Sequence, residues 1–449
     1  MNMKNLRNVL AAALVSLAMP AFAQEAETPA VGTLDIDLAK AIEIALAENP
    51  TIRVADKDIQ LKKIANSEAW QNLLPTLSAT LGLQHSIQVA AIKTPQGEFK
   101  MGMDGSTTAS GALNLSLPIF APAVYQNMKL TKEDILLAQE KARGSRLDLI
   151  NQVTKAYYAT LLAKDSYEVM QKSYKLSQQS FDVVSKNYEV GRVSEYDKIS
   201  AEVQTRSMQS AVTSAETGLS LAALRLKVLM GITEDVNLNL LDNLRNYDKH
   251  LTLEDANDAI LEMGNNSSLR QLEHSTTLLQ RTRKLLKTNF MPTIVAQVNY
   301  QYQSYSNPDW NIFKYHYSPS STLQFAVSIP IFQASNWTKL KTNRMQLSQM
   351  EDTRENAQRQ VKMAIESYRR NMASTIAQVE SNKEAIVKAD KAVLISSKRY
   401  EVGRGTILEL NQSETALTQA ELTYNQSIYD YLTNKADLDY TLGRETYLK

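Results

Sequence analysis

Four stretches of the chain alternate apolar and polar residues with a period of two. Leu77, Ala79, Leu81, Leu83, Ile87 and Val89 fall on one face, with Ser78, Thr80, Gln84, Ser86 and Gln88 on the other. Leu113, Leu115 and Leu117 alternate with Asn114 and Ser116. Ile294, Ala296, Val298, Tyr300 and Tyr302 alternate with Gln297, Asn299, Gln301 and Gln303. Leu323, Phe325, Val327 and Ile329 alternate with Thr322, Gln324 and Ser328. Successive side chains of a strand point to opposite faces, so each stretch predicts a strand. The strands form two hairpins, near 76–118 and 293–330. Pro75, Pro118, Pro292 and Pro330 mark the junctions between strands and helices.

The polar faces of these strands hold Ser, Thr, Asn and Gln with almost no charge. A soluble sheet with one wet face predicts Lys and Glu there. Apolar outside and uncharged polar inside is the pattern of an outer-membrane barrel. The runs approach the roughly 9–11 residues that a tilted spanning strand needs. Four strands cannot close a barrel, because known ones start at about eight. An open edge in lipid leaves unpaired backbone groups, each costing several kcal/mol. Closure therefore takes strands from two, three or four chains. The segments around Lys93 to Ser106 and Ser306 to Pro319 are expected as extracellular loops. The second carries Trp310, Phe313, Tyr315 and Tyr317, and such aromatics suit the membrane interface.

Elsewhere the period changes to that of a helix. Between Ala121 and Glu189 the only proline is Pro122 and the only glycine is Gly144. At about 1.5 Å per residue, this predicts a helix of roughly 100 Å. Residues 334–402 match it. Steps of three and four run through Val153, Ala156, Thr160, Ala163, Tyr167, Met170, Tyr174, Ser177, Phe181, Val184 and Tyr188. The same phase runs through Ile365, Tyr368, Met372, Thr375, Val379, Asn382, Ile386, Ala389, Val393, Ser396 and Tyr400. These are coiled-coil seams, and their Tyr and Met residues read as packing. Returning helices from 195 to 230 and 407 to 442 are half as long. Shorter helices, 51–73 and 267–289, stack on their ends.

The chain is written twice. Leu115-Ser116-Leu117-Pro118-Ile119-Phe120 returns as Val327-Ser328-Ile329-Pro330-Ile331-Phe332, and Tyr188-Glu189-Val190-Gly191-Arg192 as Tyr400-Glu401-Val402-Gly403-Arg404, both 212 residues on. Gly231 returns as Gly443 at the same spacing, whereas Pro75 returns as Pro292, 217 residues on. The first copy thus holds five extra residues between its prolines. Each copy opens on a short helix, near Leu38 to Glu48 and near Leu253 to Met263, followed by an Asn-Pro or Asn-Asn break. The expected organisation is a first repeat over 24–231, an irregular connector over 232–251 and a second repeat over 252–449.

Residues 1–23 read as a secretory signal peptide. Lys4 and Arg7 precede an apolar run from Val9 to Ala18, and Ala21-Phe22-Ala23 is a small-x-small cleavage site. The run falls short of the roughly 20 residues that a spanning helix needs. The whole chain has 49 Lys and Arg against 48 Asp and Glu, and two of the basic residues lie in the signal. That balance argues against a nucleic-acid partner. There is no cysteine, so disulfides, thiolate catalysis and cysteine metal sites are excluded. The four histidines, at 85, 250, 274 and 316, lack ligand spacing, and no phosphate loop or nucleophile elbow is present. No enzyme activity, cofactor or metal is expected.

The tandem repeat, the two proline-flanked hairpins and the paired Tyr-Glu-Val-Gly-Arg turns together resemble the TolC-like outer-membrane efflux proteins. The resemblance covers nearly all of the chain after the signal. It implies a mostly α fold with β, a homotrimeric channel-tunnel with a 12-stranded β-barrel, four strands per chain, continuous with an α-helical coiled-coil barrel. It implies outer membrane lipid around the barrel and a long periplasmic part. It implies a periplasmic adaptor (membrane fusion) protein and an inner-membrane pump as partners, in efflux or type I secretion. The competing reading is a non-channel secreted or periplasmic coiled-coil structural protein, which explains the heptads but not the strands.

The resemblance also implies an iris-like gate at the helical tips, with adaptor docking at Gly191, Arg192, Gly403 and Arg404. By motif position Tyr400 matches the family's gating tyrosine and Asp197 its acidic partner. A hydrogen bond from the phenol to the carboxylate is worth about 1.5–3 kcal/mol, weak enough for a docking partner to break. The family's gating arginine falls at Gly405. Two acidic positions facing the narrow pore fall at Glu409 and Gln412, leaving one carboxylate per chain to attract cations.

Overall fold

The computed structural model describes residues 32–95, 97–100, 102–233, 236–253, 262–305 and 307–445. The expected signal peptide lies outside the described residues, as does most of the helix expected near Leu253 to Met263. In the first copy β1 (Thr33–Ile36) leads to α1 (Leu38–Glu48) and α2 (Pro50–Gln71), then to β2 (Thr76–Ser86), β3 (Ala91–Thr94), β4 (Gly97–Lys100) and β5 (Ser106–Phe120). Two long helices follow, α3 (Pro122–Glu189) and α4 (Glu195–Met230). In the second, β6 (Asn237–Leu240) and a 3-10 segment (Leu244–His250) precede α5 (Ser267–Thr288), β7 (Thr293–Gln303), β8 (Ser318–Ser328), α6 (Ala334–Glu401) and α7 (Ile407–Leu442).

α3 and α6 are each 68 residues, and α4 and α7 each 36. At about 1.5 Å per residue the long pair runs roughly 100 Å. Every residue of the two heptad stripes is buried or half-buried. α3 pairs with α4 and α6 with α7, while α2 and α5 pack on the strand-side halves of the long helices. The main core sits at mid-length. There Val153, Tyr157 and Leu161 of α3 meet Ile36, Ile42, Leu226, Met230, Leu244, Ile428 and Leu442. Each such aliphatic side chain contributes about 1.5–3 kcal/mol on burial.

The repeat is also visible in how the helices start. Asn49 accepts from the Thr51 N–H at 2.8 Å, capping α2, and its amide donates to the Leu229 carbonyl at 2.8 Å. Asn266 accepts from the Leu269 N–H at 3.0 Å, capping α5, and donates to the Thr441 carbonyl at 2.7 Å. Leu229 and Thr441 are themselves equivalent by the 212-residue spacing.

The sheet is an antiparallel meander in the order β2-β5-β7-β8, with β2 and β8 as its edges. Its exposure is inverted relative to a soluble sheet. Leu113, Leu115 and Leu117 of β5 are exposed while Asn114 and Ser116 between them are half-buried. On β7, Val298, Tyr300 and Tyr302 are exposed and Asn299, Gln301 and Gln303 half-buried. Leu81 on the β2 edge is 87% exposed. No described helix is long and apolar enough to cross a membrane.

Three expectations need correction. The connector over 232–251 is not irregular: β6 pairs in parallel with β1, from Thr33 with Asn237 to Ile36 with Leu240. The first-copy loop contains a small hairpin, β3 with β4, where the second copy has a 3-10 turn at Ile312–Lys314. Pro118 is not a junction, because β5 runs through it to Phe120 with a register shift against β7. A bulge spares the ladder bond that proline cannot donate, and Pro122, in the first turn of α3, starts the helix instead. Pro75, Pro292 and Pro330 do lie between helix and strand.

Candidate functional site at the helical tips

Both hairpin turns end a long helix in the same way. Gly191 and Gly403 have φ of +71° and +72°, a left-handed conformation that only glycine adopts cheaply. The Arg192 N–H donates to the Asn187 carbonyl at 2.8 Å, and the Arg404 N–H to the Arg399 carbonyl at 2.8 Å. These bonds satisfy carbonyls that a helix end leaves free. Arg192 and Arg404 are exposed beside their glycines. In the first copy the Lys198 ammonium lies 4.9 Å from the Tyr188 ring, across the turn.

The two turns meet. Between them lies a cavity of about 570 Å³ lined by Asn187, Arg192, Asp197, Tyr400, Gly405 and Ile407 among others. Beneath it is a small second core of Val184, Ala201, Ile407 and Leu410, with Phe181, Val193 and Tyr400 against it. Tyr400 and Asp197 thus line one cavity, and among the described residues no hydrogen bond joins them. Asp197 is committed to its own helix start. Its Oδ2 accepts from the Ser194 N–H at 3.2 Å and from the Ser194 hydroxyl at 2.8 Å, while Ser194 Oγ accepts from the Asp197 N–H at 3.2 Å. This reciprocal cap satisfies two otherwise free amides of α4. The Tyr400 hydroxyl is buried and has no partner among the described residues. Burial, and then the nearby Asp197 carboxylate, push the Tyr400 phenol above its ordinary pKa.

Glu409 does not stand free. Its Oε2 lies 3.6 Å from Arg399 Nη1, at ion-pair range. Gln412 is exposed and lines a groove of about 730 Å³ between α4 and α7. Tyr196, Ile199, Val203 and Leu408 give that groove an exposed apolar wall. The sequence reading passed over these four residues. Their signal is apolar spacing by three and four in the returning helix, at Tyr196, Ile199 and Val203. Gly405 packs close to the end of α6, with an added Cβ lying 3.1 Å from Arg399 Cβ and 3.2 Å from the Tyr400 nitrogen. Among the described residues, no cluster suits a metal ion.

A family model described as outer membrane efflux protein matches residues 41–232 and 261–444, one stretch in each copy. Outer membrane protein TolC of Escherichia coli K12 is 24% identical over 421 residues, covering 91% of this chain and 82% of TolC. The CmeC outer membrane channel of Campylobacter jejuni superposes with a TM-score of 0.72 at 15% identity, over 90% of this chain and 85% of CmeC. The MtrE outer membrane channel of Neisseria gonorrhoeae, in its open state, superposes with a TM-score of 0.71 at 18% identity, over 91% and 89%. These two likenesses speak to the fold. The reading as a secreted coiled-coil structural protein is not favoured. With both repeats matched in order, the chain belongs to the outer membrane efflux protein family.

Proposed function

We propose that three copies of the chain close a twelve-stranded barrel in the outer membrane and a helical tunnel beneath it, gated at the tips. As an outer membrane efflux protein, the chain serves as an exit duct from the periplasm to the outside. The observation that carries the assembly is the sheet. Its apolar side chains are exposed, and its two edge strands each have one free edge among the described residues. In lipid both edges must be paired, which a ring of identical sheets achieves. Two chains would reach only the lower limit of known barrels. The two repeats then each supply one hairpin to the barrel and one helical pair to the tunnel.

The gate reading rests on the tip cavity. The unpartnered Tyr400 hydroxyl is a donor in search of an acceptor, and Asp197 Oδ1 accepts no hydrogen bond among the described residues. A bond from that hydroxyl to Oδ1 would leave the α4 cap, which uses Oδ2, intact. A periplasmic adaptor seated on Gly191, Arg192, Gly403 and Arg404, backed by the apolar groove, would pull the turns apart. An inner-membrane pump would then deliver cargo. The test is the native mass of the protein extracted from outer membranes in mild detergent. Three chains per particle are expected. A monomer that stays monomeric in lipid nanodiscs would overturn the shared barrel.

A further inference from the structure

The two tips are equivalent by the 212-residue spacing, yet their carboxylates behave differently. Asp197 and Glu409 occupy the same position, third in their helices. Asp197 turns back to cap α4. In the second copy only half of that arrangement forms. The Glu409 N–H donates to Thr406 Oγ1 at 3.2 Å, but the carboxylate leaves the cap and meets Arg399. The residue equivalent to Arg399 in the first copy is Asn187, which is too short and carries no charge.

Space is made for this change. The position of Val193 in the first copy is taken by Gly405 in the second. A Cβ at 405 would press on Arg399 Cβ and on the backbone nitrogen of Tyr400. Arg399 Nη2 also donates to the Arg404 carbonyl at 3.2 Å. One side chain therefore links the last turn of α6, the turn itself and the first turn of α7. Glu409 Oε2 is shielded from water and accepts no hydrogen bond among the described residues, and the guanidinium beside it partly offsets its charge in a pair whose side chains, 53% and 45% exposed, are screened by solvent.

We propose that Arg399 is a positioning residue for the tip. It draws Glu409 out of the helix cap, braces the second turn, and offsets the carboxylate charge that this end of the tunnel presents. This rests on the reading of the tips as the tunnel's narrow mouth. The ionic groups around the pair are Arg399 and Glu401 on α6, Arg404 in the turn, Glu409 on α7, and Asp197 across the cavity.

The test is the reversal potential of the reconstituted oligomer in a planar bilayer under a KCl gradient. Wild type, Arg399→Gln, Arg399→Lys, Glu409→Gln and the double variant Arg399→Gln/Glu409→Gln are compared. Arg399→Gln is expected to raise the K⁺ over Cl⁻ permeability ratio roughly twofold, the effect of uncovering one charge within a Debye length of the ions. Arg399→Lys keeps the wild-type ratio. In the Glu409→Gln background the Arg399→Gln change has a smaller effect, because a guanidinium without its carboxylate partner is no longer held at the mouth. An equal increment in both backgrounds would show Arg399 acting alone and overturn the pairing. A ratio that falls with Glu409→Gln but stays fixed with Arg399→Gln would overturn it too, while keeping the tip as the mouth. No change from any variant, in a channel that conducts, would remove both the pairing and the mouth.

Discussion

Asp165 lies on α3 where the 3-10 segment crosses it. Its carboxylate is buried, and one oxygen accepts from the Leu244 N–H at 3.2 Å while the other has no partner among the described residues. Burial raises its pKa from 3.8 to about 6, aided by Glu168 and opposed by Leu244, Lys164 and Arg245. The folded state thus binds this proton more tightly than the unfolded state does. Its contribution to stability is fully present below about pH 4 and is lost as pH rises through about 6. Asp165→Asn keeps an acceptor for Leu244 and removes the ionisation. The variant is expected to melt higher than wild type at pH 7.5, with the gap closing as pH falls toward 4. A gap independent of pH across thermal melts would contradict this. Nothing in the sequence singled out Asp165, because a lone Asp beside a heptad seam looks like a solvated one. The chain crossing at residue 244 covers it and donates to it. Tyr400, by contrast, was legible from its motif, but its missing partner was not. The α4 helix start takes one oxygen of the Asp197 carboxylate and leaves only the other for the expected link.

At the scale of elements, most boundaries were readable. The two heptad stripes set the buried faces of α3 and α6, and the repeated Gly-Arg turns set where the helices end. The strands were readable because the alternation is clean and the proline pairs bracket it. Long-range pairing was not. β1 and β6 are four residues each and some 200 residues apart, too short for a period to emerge. The Asn- and Asp-rich composition around β6 pointed to a loop instead. The role of Asn49 and Asn266 was also hidden. As sequence they mark only a break, whereas in the fold each caps one helix and ties it to the end of another. Asn266→Ala leaves the Leu269 amide and the Thr441 carbonyl without these bonds. The loss is expected to be about 1–2 kcal/mol, and Asn49→Ala should cost a similar amount. Guanidinium unfolding that leaves either variant at the wild-type midpoint would contradict the shared role.

The whole molecule follows from duplication. One plan of short helices, hairpin and long helical pair, used twice, puts four strands at one end and both turns at the other. Neither end is complete in a single chain. The sheet has open edges and an exposed apolar face, and the tips enclose a cavity rather than a tunnel. That incompleteness was legible from the sequence, since four strands cannot close on themselves. The number of chains was not, because any ring that pairs the edges satisfies the backbone. The central claim is a gated duct, and single-channel conductance in a planar bilayer tests it most directly. Wild type is measured beside Tyr400→Phe, which removes the hydroxyl proposed to latch onto Asp197 and leaves the α4 cap whole. A small wild-type conductance that rises in Tyr400→Phe is predicted. Absence of conductance from both, in preparations shown to be inserted, would contradict the duct itself.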